Sequence, residues 1–251
     1  MTRTMPAVAG SRTALRLVGR DALSLLHRLS TNALLDLPQG EARATLFCDF
    51  RGRLLHRVHV VHAPGGALWL ARGDAGGEAL AAFLDGFVFR EDVAIEDREA
   101  DFDWRLAGVE WGGPLEEHRR IALGLPRHGA EITADFNPYE VNLAHEVHLA
   151  KGCYTGQEAL QRLVTYGSVR RRLVRFAGEG AAPAAPQGLR AEGGGNGGPA
   201  GVLTSAAPLP EGGWTALAVV RHEAAGPLRL ADGRLLETPV EFGSRRPIGR
   251  P

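Results

Sequence analysis

The 251-residue sequence holds one lysine and two cysteines, and each shortage excludes something. Cys48 and Cys153 lie too far apart in sequence to read as a disulfide framework, and by themselves they supply too few ligands for a structural zinc or a four-thiolate cluster. No stretch approaches the roughly 18 uninterrupted apolar residues that cross a bilayer. The opening MTRTMPAVAGSRTALRLVG lacks the apolar core of a secretory signal. Charge of one sign is missing too: 29 basic and 29 acidic side chains balance to zero. That balance argues against a protein held to nucleic acid by bulk electrostatics. There is no P-loop and no dinucleotide fingerprint, since Gly73–Gly77 lacks the Lys-Ser/Thr pair of a phosphate cradle. The expectation is a soluble, cytoplasmic globular protein with no membrane partner and no direct contact with nucleic acid.

About 44% of the residues are hydrophobic, enough for one large core or two to three smaller ones. Ala, Gly, Arg and Pro are abundant while Ile and Asn are scarce, the bias of a GC-rich coding sequence that pushes exposed lysines toward arginine. The lysine that survives is Lys151, in Lys151-Gly152-Cys153-Tyr154-Thr155-Gly156-Gln157-Glu158. An ammonium and a planar guanidinium are not equivalent in a tight pocket or beside a thiolate.

Hydrophobic periodicity predicts a strand over 13–18, then a helix N-capped by Asp21 with the stripe Ala22, Leu25, Leu26 and Leu29. Ala42, Ala44, Leu46, Cys48 and Phe50 alternate onto one face, Arg51-Gly52 turns the chain, and Leu54–His62 returns as a hairpin. An apolar run over 67–71, a helix over 76–84 and a strand over 92–96 complete an α+β unit of the split βαβ, ferredoxin-like kind spanning 1–100. A second α+β domain is expected over 101–168, with a strand at 105–110 and a helix at 115–123. A β-barrel-like C-terminal domain is expected over 169–251. Its Gly/Pro-rich tract at 177–201 reads as a flexible loop.

Thr155 followed three residues later by Glu158 predicts a capping box, so a helix starts at Gly156. Its apolar positions are Ala159, Leu160, Leu163 and Val164, and Gly167 is a C-terminal stop. Cys153 then lies just before a helix N-terminus, two residues from an ammonium, and both features favour the thiolate. Gly152 and Gly156 leave the backbone open to a ligand. The alternative is a buried structural cysteine in a glycine-rich turn.

The motif Lys151–Glu158, with Arg162, Tyr166-Gly167 and Arg171-Arg172-Leu173, resembles the signature of the YgfZ-type folate-binding proteins, relatives of the glycine-cleavage T-protein (aminomethyltransferase). Weaker similarities lie at Gly19–Ala22, Thr31-Asn32, Gly52-Arg53, Pro138–Leu143 and Gly201–Ser205. The resemblance implies small domains around a central channel for tetrahydrofolate, and a role in assembling or repairing iron–sulfur enzymes, tRNA-modifying ones among them. It implies that Cys153, with Lys151, is the residue pair on which function depends. A cluster ligand, a redox thiol and a one-carbon acceptor all stay open for that cysteine. The cofactor would be met by Glu140, whose carboxylate can accept the two side-by-side donors of a pterin, and by Tyr154, Gly156, Gln157, Glu158 and Arg162. Arg170, Arg171, Arg172 and Arg175 read as a solvated strand edge, or as a hold for folate carboxylates.

One departure bears on function. In the aminomethyltransferases the strand after the glycine hairpin carries a catalytic aspartate, and here His56 and Arg57 take its positions. Arginine is no base at neutral pH, so no glycine-cleavage activity is expected. A folate-dependent transferase or demethylase and a catalytically silent folate-binding module remain the alternatives. His145-Glu146-Val147-His148 lacks the i, i+4 spacing of a zincin. His56, His59 and His62 cannot all share one strand face, so no metal site is expected.

Overall fold

Residues 12–107, 116–191, 199–224, 226–243 and 245–249 are described by the computed structural model, in which two antiparallel sheets flank a strand-poor middle region. The first sheet takes β1 (Thr13–Val18), β2 (Ala42–Cys48), β3 (Leu54–His62), β4 (Leu68–Arg72) and β5 (Ala94–Asp97) in the order β2-β3-β4-β1-β5. β4 is central, and all five of its residues are buried. Leu68 and Leu70 pack toward two helices, while Trp69 and Ala71 pack on the opposite face with Phe102. The helices are α1 (Ala22–Leu29) and α2 (Glu78–Asp85). Ala22, Leu25, Leu26 and Leu29 are the buried stripe of α1, each leucine contributing about 2 kcal/mol of transfer free energy. Asp21 does not cap that helix. Its Oδ2 accepts the Asp92 N–H at 2.9 Å instead, tying down the chain that leads into β5.

The β2–β3 hairpin forms where the alternation places it, but it ends differently. A register shift between Phe47 and Cys48 breaks the alternation, as a bulge does. Phe50 consequently stands 73% exposed at the hairpin tip rather than on the buried face. The tip is held by Asp49, whose Oδ1 accepts the N–H groups of Arg51 and Arg53, both at 2.8 Å.

Between Asp97 and Arg171 the described residues contain no strand, only short helices, turns and isolated bridges. The strand expected at 105–110 is a 3₁₀ turn over Trp104–Ala107, and residues 108–110 lie outside the described residues. The helix expected at 115–123 is α3 (Glu117–Ala122). This region pairs its backbone outward: Leu54 N–H donates to Phe136 O, and His148 N–H to Thr31 O, both at 2.9 Å. Its apolar residues Ile132, Phe136, Val141, Leu143 and Val147 fill one core with Leu46 and Leu54 of the first sheet and Leu173 and Val219 of the second. α4 (Gln157–Thr165) closes the region.

The second sheet runs β11-β10-β7-β8-β9-β6-β12, with β6 (Arg171–Gly178), β7 (Gln187–Ala191), β8 (Pro199–Pro208), β9 (Trp214–Arg221), β10 (Leu228–Arg229), β11 (Leu235–Leu236) and β12 (Val240–Glu241). The tract read as a flexible loop over 177–201 therefore contributes a strand, β7, and the first residues of β8. Glycine and alanine are tolerated there because the neighbouring strand approaches closely: a Cβ on Gly201 would meet Val219 O at 2.5 Å. The run 193–198 lies outside the described residues. Glu131, fully buried, locks the middle region to β8 by accepting Thr204 Oγ1 (2.5 Å), Ser205 Oγ (2.7 Å) and Arg120 Nη1 (3.1 Å).

Candidate functional site

Strand alternation sends Arg57 and His59 of β3 toward the middle region, where polar side chains from four segments meet. Arg57 makes a forked pair with Glu146, with Nε 3.0 Å from each carboxylate oxygen and Nη2 2.6 Å from Oε1. Both partners are nearly inaccessible. Burial disfavours the Arg57 charge, but Glu146 outweighs it and holds the guanidinium above its ordinary pKa. β4 ends before His56 and Arg57, so the Arg57 N–H has no strand partner and donates to His128 Nε2 at 3.1 Å. An imidazole accepting at Nε2 carries its proton on Nδ1, and that proton goes to Asp74 Oδ1 at 2.8 Å. Asp74 Oδ2 accepts the His128 N–H at 2.9 Å. Burial alone would raise the Asp74 carboxyl, yet the His128 hydrogen bonds and the Arg72 charge bring it below its ordinary value.

Arg72 completes the cluster. Its guanidinium is buried with no carboxylate in ion-pair range among the described residues, and donates to Gly76 O, His56 Nδ1 (3.2 Å) and His128 Nε2 (3.3 Å). Burial lowers its pKa against the pull of Asp74. Arg57, His59, Arg72, Asp74, His128 and Ile132 line a common spot that is packed too closely to admit even a water molecule. Burial, with Arg72 and His128 adding to it, takes His56 down to about 3; burial and Arg57 take His59 to about 4. Both imidazoles are thus neutral at ordinary pH. Of this cluster the sequence singled out His56, Arg57 and His59 for their positions, and Glu146 only within the His145–His148 run that lacks zincin spacing. The signal available for the rest was faint: a charged residue at an inward position of an otherwise apolar strand demands a buried counter-charge.

Glu140 lies elsewhere, at the edge facing β6. Its carboxylate is buried and already engaged. Arg171 Nε donates to Oε1 at 2.7 Å and Nη2 to Oε2 at 2.8 Å, while Asn137 N–H donates to Oε2 at 3.1 Å. Three of a carboxylate's roughly four acceptor positions are occupied, where the sequence suggested a carboxylate open to a ligand. Arg171 also lies 5.0 Å over the Phe136 ring. It is a tie between the two halves of the site rather than a solvated edge, whereas Arg172 pairs outward with Glu241.

The lysine–cysteine motif is folded tightly around its glycines. Gly156 has φ +83°, and a Cβ there would lie 2.5 Å from Asp49 O. The missing side chain admits the β2–β3 hairpin tip, not a ligand. With Gly156 left-handed at the N-cap, the predicted capping box does not form and α4 starts one residue later. Glu158 pairs with Arg162 at 2.6 Å on the exposed face of α4. Gln157 Nε2 donates to Leu149 O at 3.1 Å. Lys151 Nζ donates to His27 O and stands 5.0 Å over the Tyr154 ring, and burial pushes its pKa down to about 8. Lys151 is thus committed inward, while Cys153 is exposed. The hydroxyls of Tyr139 and Tyr154 are both buried with no hydrogen-bond partner. Among the described residues no cluster of three or more His, Cys, Asp or Glu is arranged to hold a metal ion. No described helix is long and apolar enough to cross a membrane.

These elements reproduce a known architecture. The chain has the fold of the glycine cleavage system aminomethyltransferase T from Bartonella henselae: the crystal structure of that protein superimposes with a TM-score of 0.75 over 96% of this chain and 86% of the other, at 16% identity. In sequence the chain is similar to an aminomethyltransferase of Herpetosiphon aurantiacus, 30% identical over 115 residues, and to a chloroplastic transferase of Arabidopsis thaliana, 38% identical over 65 residues. Those segments cover 46% and 26% of this chain, and only 30% and 15% of the two relatives. No family model matches the sequence.

Proposed function

We propose that this is a cytoplasmic, YgfZ-type tetrahydrofolate-binding protein that serves the assembly or repair of iron–sulfur enzymes, tRNA-modifying ones included, with Cys153 as its working thiol. The observation that carries the reading is an aminomethyltransferase fold whose β3 offers no carboxylate at the aligned positions. His56 is held neutral beneath Arg72, and Arg57 is locked to Glu146. Neither can exchange a proton with a ligand at neutral pH, which favours binding over glycine cleavage. The first sheet's order, with β4 between β1 and β3 and β2 added outside, supports its ferredoxin-like reading. Separate cores under each sheet and a shared one between them support a reading of three units, the last of them barrel-like.

Tetrahydrofolate presents ring N–H donors and a ring carbonyl. The residues fit such a group in part through unsatisfied atoms, since the two buried tyrosine hydroxyls have no partner. Glu140 keeps one acceptor position, the others being taken by Arg171 and the Asn137 N–H. When bound, the folate would supply a one-carbon carrier; this chain's side chains hold and orient it and exclude water. Tyr154 and Glu140 are the proposed contacts. Gly156 and Gln157 shape the motif, and Glu158 and Arg162 stand at its solvent side. The exposed Cys153 is available to a partner protein.

The test is an anaerobic calorimetric titration with tetrahydrofolate, for wild type and Glu140→Ala. Saturable one-to-one binding, weakened by the substitution, supports the reading; no binding at millimolar ligand sinks it. In cells lacking the protein, Cys153→Ala should fail to restore iron–sulfur enzyme activity while binding folate normally. One observation favours a second reading, a one-carbon transferase. Asp74 brings an oriented carboxylate into the cluster that holds His56 and Arg57. Folate-dependent turnover of formaldehyde, abolished by Asp74→Asn, would decide for it.

A further inference from the structure

On the face of the first sheet opposite α1 and α2, the described residues leave a cleft of about 350 Å³ open to solvent. That volume falls within the roughly 300–1,000 Å³ of small-molecule sites. Its floor is apolar: Trp69 of β4 and Phe102, both buried, lie 5.1 Å apart between ring centroids, and Leu106 stands beside them. Arg16, Asp101 and Asp103 line it with charged and more accessible side chains. The cleft reaches Ala63, six residues beyond Arg57 and so about 20 Å along an extended chain. None of its lining residues belongs to the polar cluster around Arg57, to the lysine–cysteine motif or to the proposed folate contacts.

The three charged groups differ in what they have left to give. Asp103 is taken up by Arg105: the Arg105 N–H and Nε donate to Oδ1 at 3.1 and 2.9 Å, and Nη2 donates to Oδ2 at 2.9 Å. That fills three of about four acceptor positions and matches its charge. Asp101 has one charged partner among the described residues, Arg98, with Nε 3.2 Å from Oδ2. Arg16 has one as well, Glu96, with Nη1 3.4 Å from Oε2, which leaves most of its five N–H donors free. Exposed pairs of this kind hold their partners weakly, so a ligand can share or replace them. A guanidinium fork fits a carboxylate bidentately, and a carboxylate accepts the donors of an ammonium. One free cation, one free anion and an apolar floor between them suit a zwitterion with an apolar side chain. A ligand carrying either charge alone leaves one of the two groups unused.

We propose that this cleft binds an α-amino acid with a large apolar side chain. Arg16 takes its carboxylate, Asp101 its ammonium, and Trp69, Phe102 and Leu106 its side chain. The site is independent of the folate reading and stands or falls separately from it.

The test is calorimetric titration of the full chain with L-phenylalanine, phenethylamine and 3-phenylpropionate, on wild type, Arg16→Gln and Asp101→Asn. Both substituted side chains are partly exposed, so the variants keep the fold. Wild type should bind phenylalanine saturably, one to one, and each single-charge analogue about tenfold more weakly. Arg16→Gln should weaken phenylalanine about tenfold and leave phenethylamine unchanged, while Asp101→Asn should weaken phenylalanine equally and leave 3-phenylpropionate unchanged. Three ligands bound within twofold of one another overturn the assignment, because the charges then select nothing. Phenylalanine binding that neither substitution alters places the ligand elsewhere and overturns it too. So does the absence of saturable binding at millimolar phenylalanine.

Discussion

The neutral histidines buried beside Arg72 and Arg57 make the fold acid-labile over a defined window. In the unfolded chain His56 and His59 titrate near 6.5, whereas in the folded protein they are held to about 3 and about 4. Above pH 7 neither state is protonated at these positions and they add no pH dependence. As pH falls below 6.5 the unfolded state takes up protons that the folded state refuses, so stability declines by about 1.4 kcal/mol per pH unit for each histidine. At pH 5 the pair together removes about 4 kcal/mol, a large part of the 5–15 kcal/mol typical of a folded domain. His27 and His145, also lowered chiefly by burial, act in the same direction. The assay is urea unfolding at half-unit steps from pH 8 to 5, on wild type and the His56→Gln/His59→Gln double variant. Wild type should lose stability steeply below pH 6.5, and the double variant should lose about 4 kcal/mol less by pH 5, whatever its starting stability. Equal slopes in the two proteins would refute the argument that desolvation beside the arginines keeps these rings neutral.

Three further outcomes are expected. Gly156→Ala combines a left-handed backbone with a Cβ 2.5 Å from Asp49 O, and should cost at least about 2 kcal/mol. Gly152→Ala, also at positive φ but facing open space, should cost about 1 kcal/mol; equal losses in thermal unfolding would mean that the hairpin contact is unimportant. Arg57→Ala strands the buried Glu146 charge and should cost about 3–5 kcal/mol, while the Arg57→Met/Glu146→Leu double variant should recover most of it; chemical denaturation of both tells. Ellman's reagent should titrate one thiol in the folded protein, the exposed Cys153, and the second only in denaturant, since Cys48 is buried. Two fast-reacting thiols in the native state would contradict that burial.

What could be read from sequence was whatever is decided within about ten residues. The alternation of β2, the Gly52 turn and the apolar return of β3 specify a hairpin locally, and the α1 stripe needs only its own period. What escaped was decided at long range. Thr155–Glu158 is a sound local cap, but the hairpin tip arrives from a hundred positions upstream and places the Asp49 carbonyl where only a left-handed glycine leaves room. Local propensity yields to that tertiary contact, and Glu158 turns to Arg162 instead. The same holds for the strand break: nothing in Ala42–Phe50 announces the bulge at Phe47/Cys48 that exposes Phe50.

The polar cluster was illegible for a related reason. Arg72, Asp74 and His128 sit singly in segments whose neighbours are unremarkable, Glu146 drew notice only for the histidines at 145 and 148, and no spacing rule links positions 57, 72, 128 and 146. Even so, one inference was open from β3 alone. Leu54, Val58, Val60 and Val61 declare a buried strand, and Arg57 within it cannot be left unpaired at the several kcal/mol that an isolated buried charge costs. A carboxylate had to come from elsewhere in the chain, although only the fold says that it is Glu146. Glu140 presents the opposite case: it was chosen as an open acceptor because its partner lies 31 residues away, on a strand whose arginines looked like an exposed edge. The buried charges at both places are therefore committed to each other before any ligand arrives. Among the described residues the Tyr139 and Tyr154 hydroxyls are buried groups with hydrogen-bonding capacity left free, and recognition in this fold should depend more on such groups than on these committed charges.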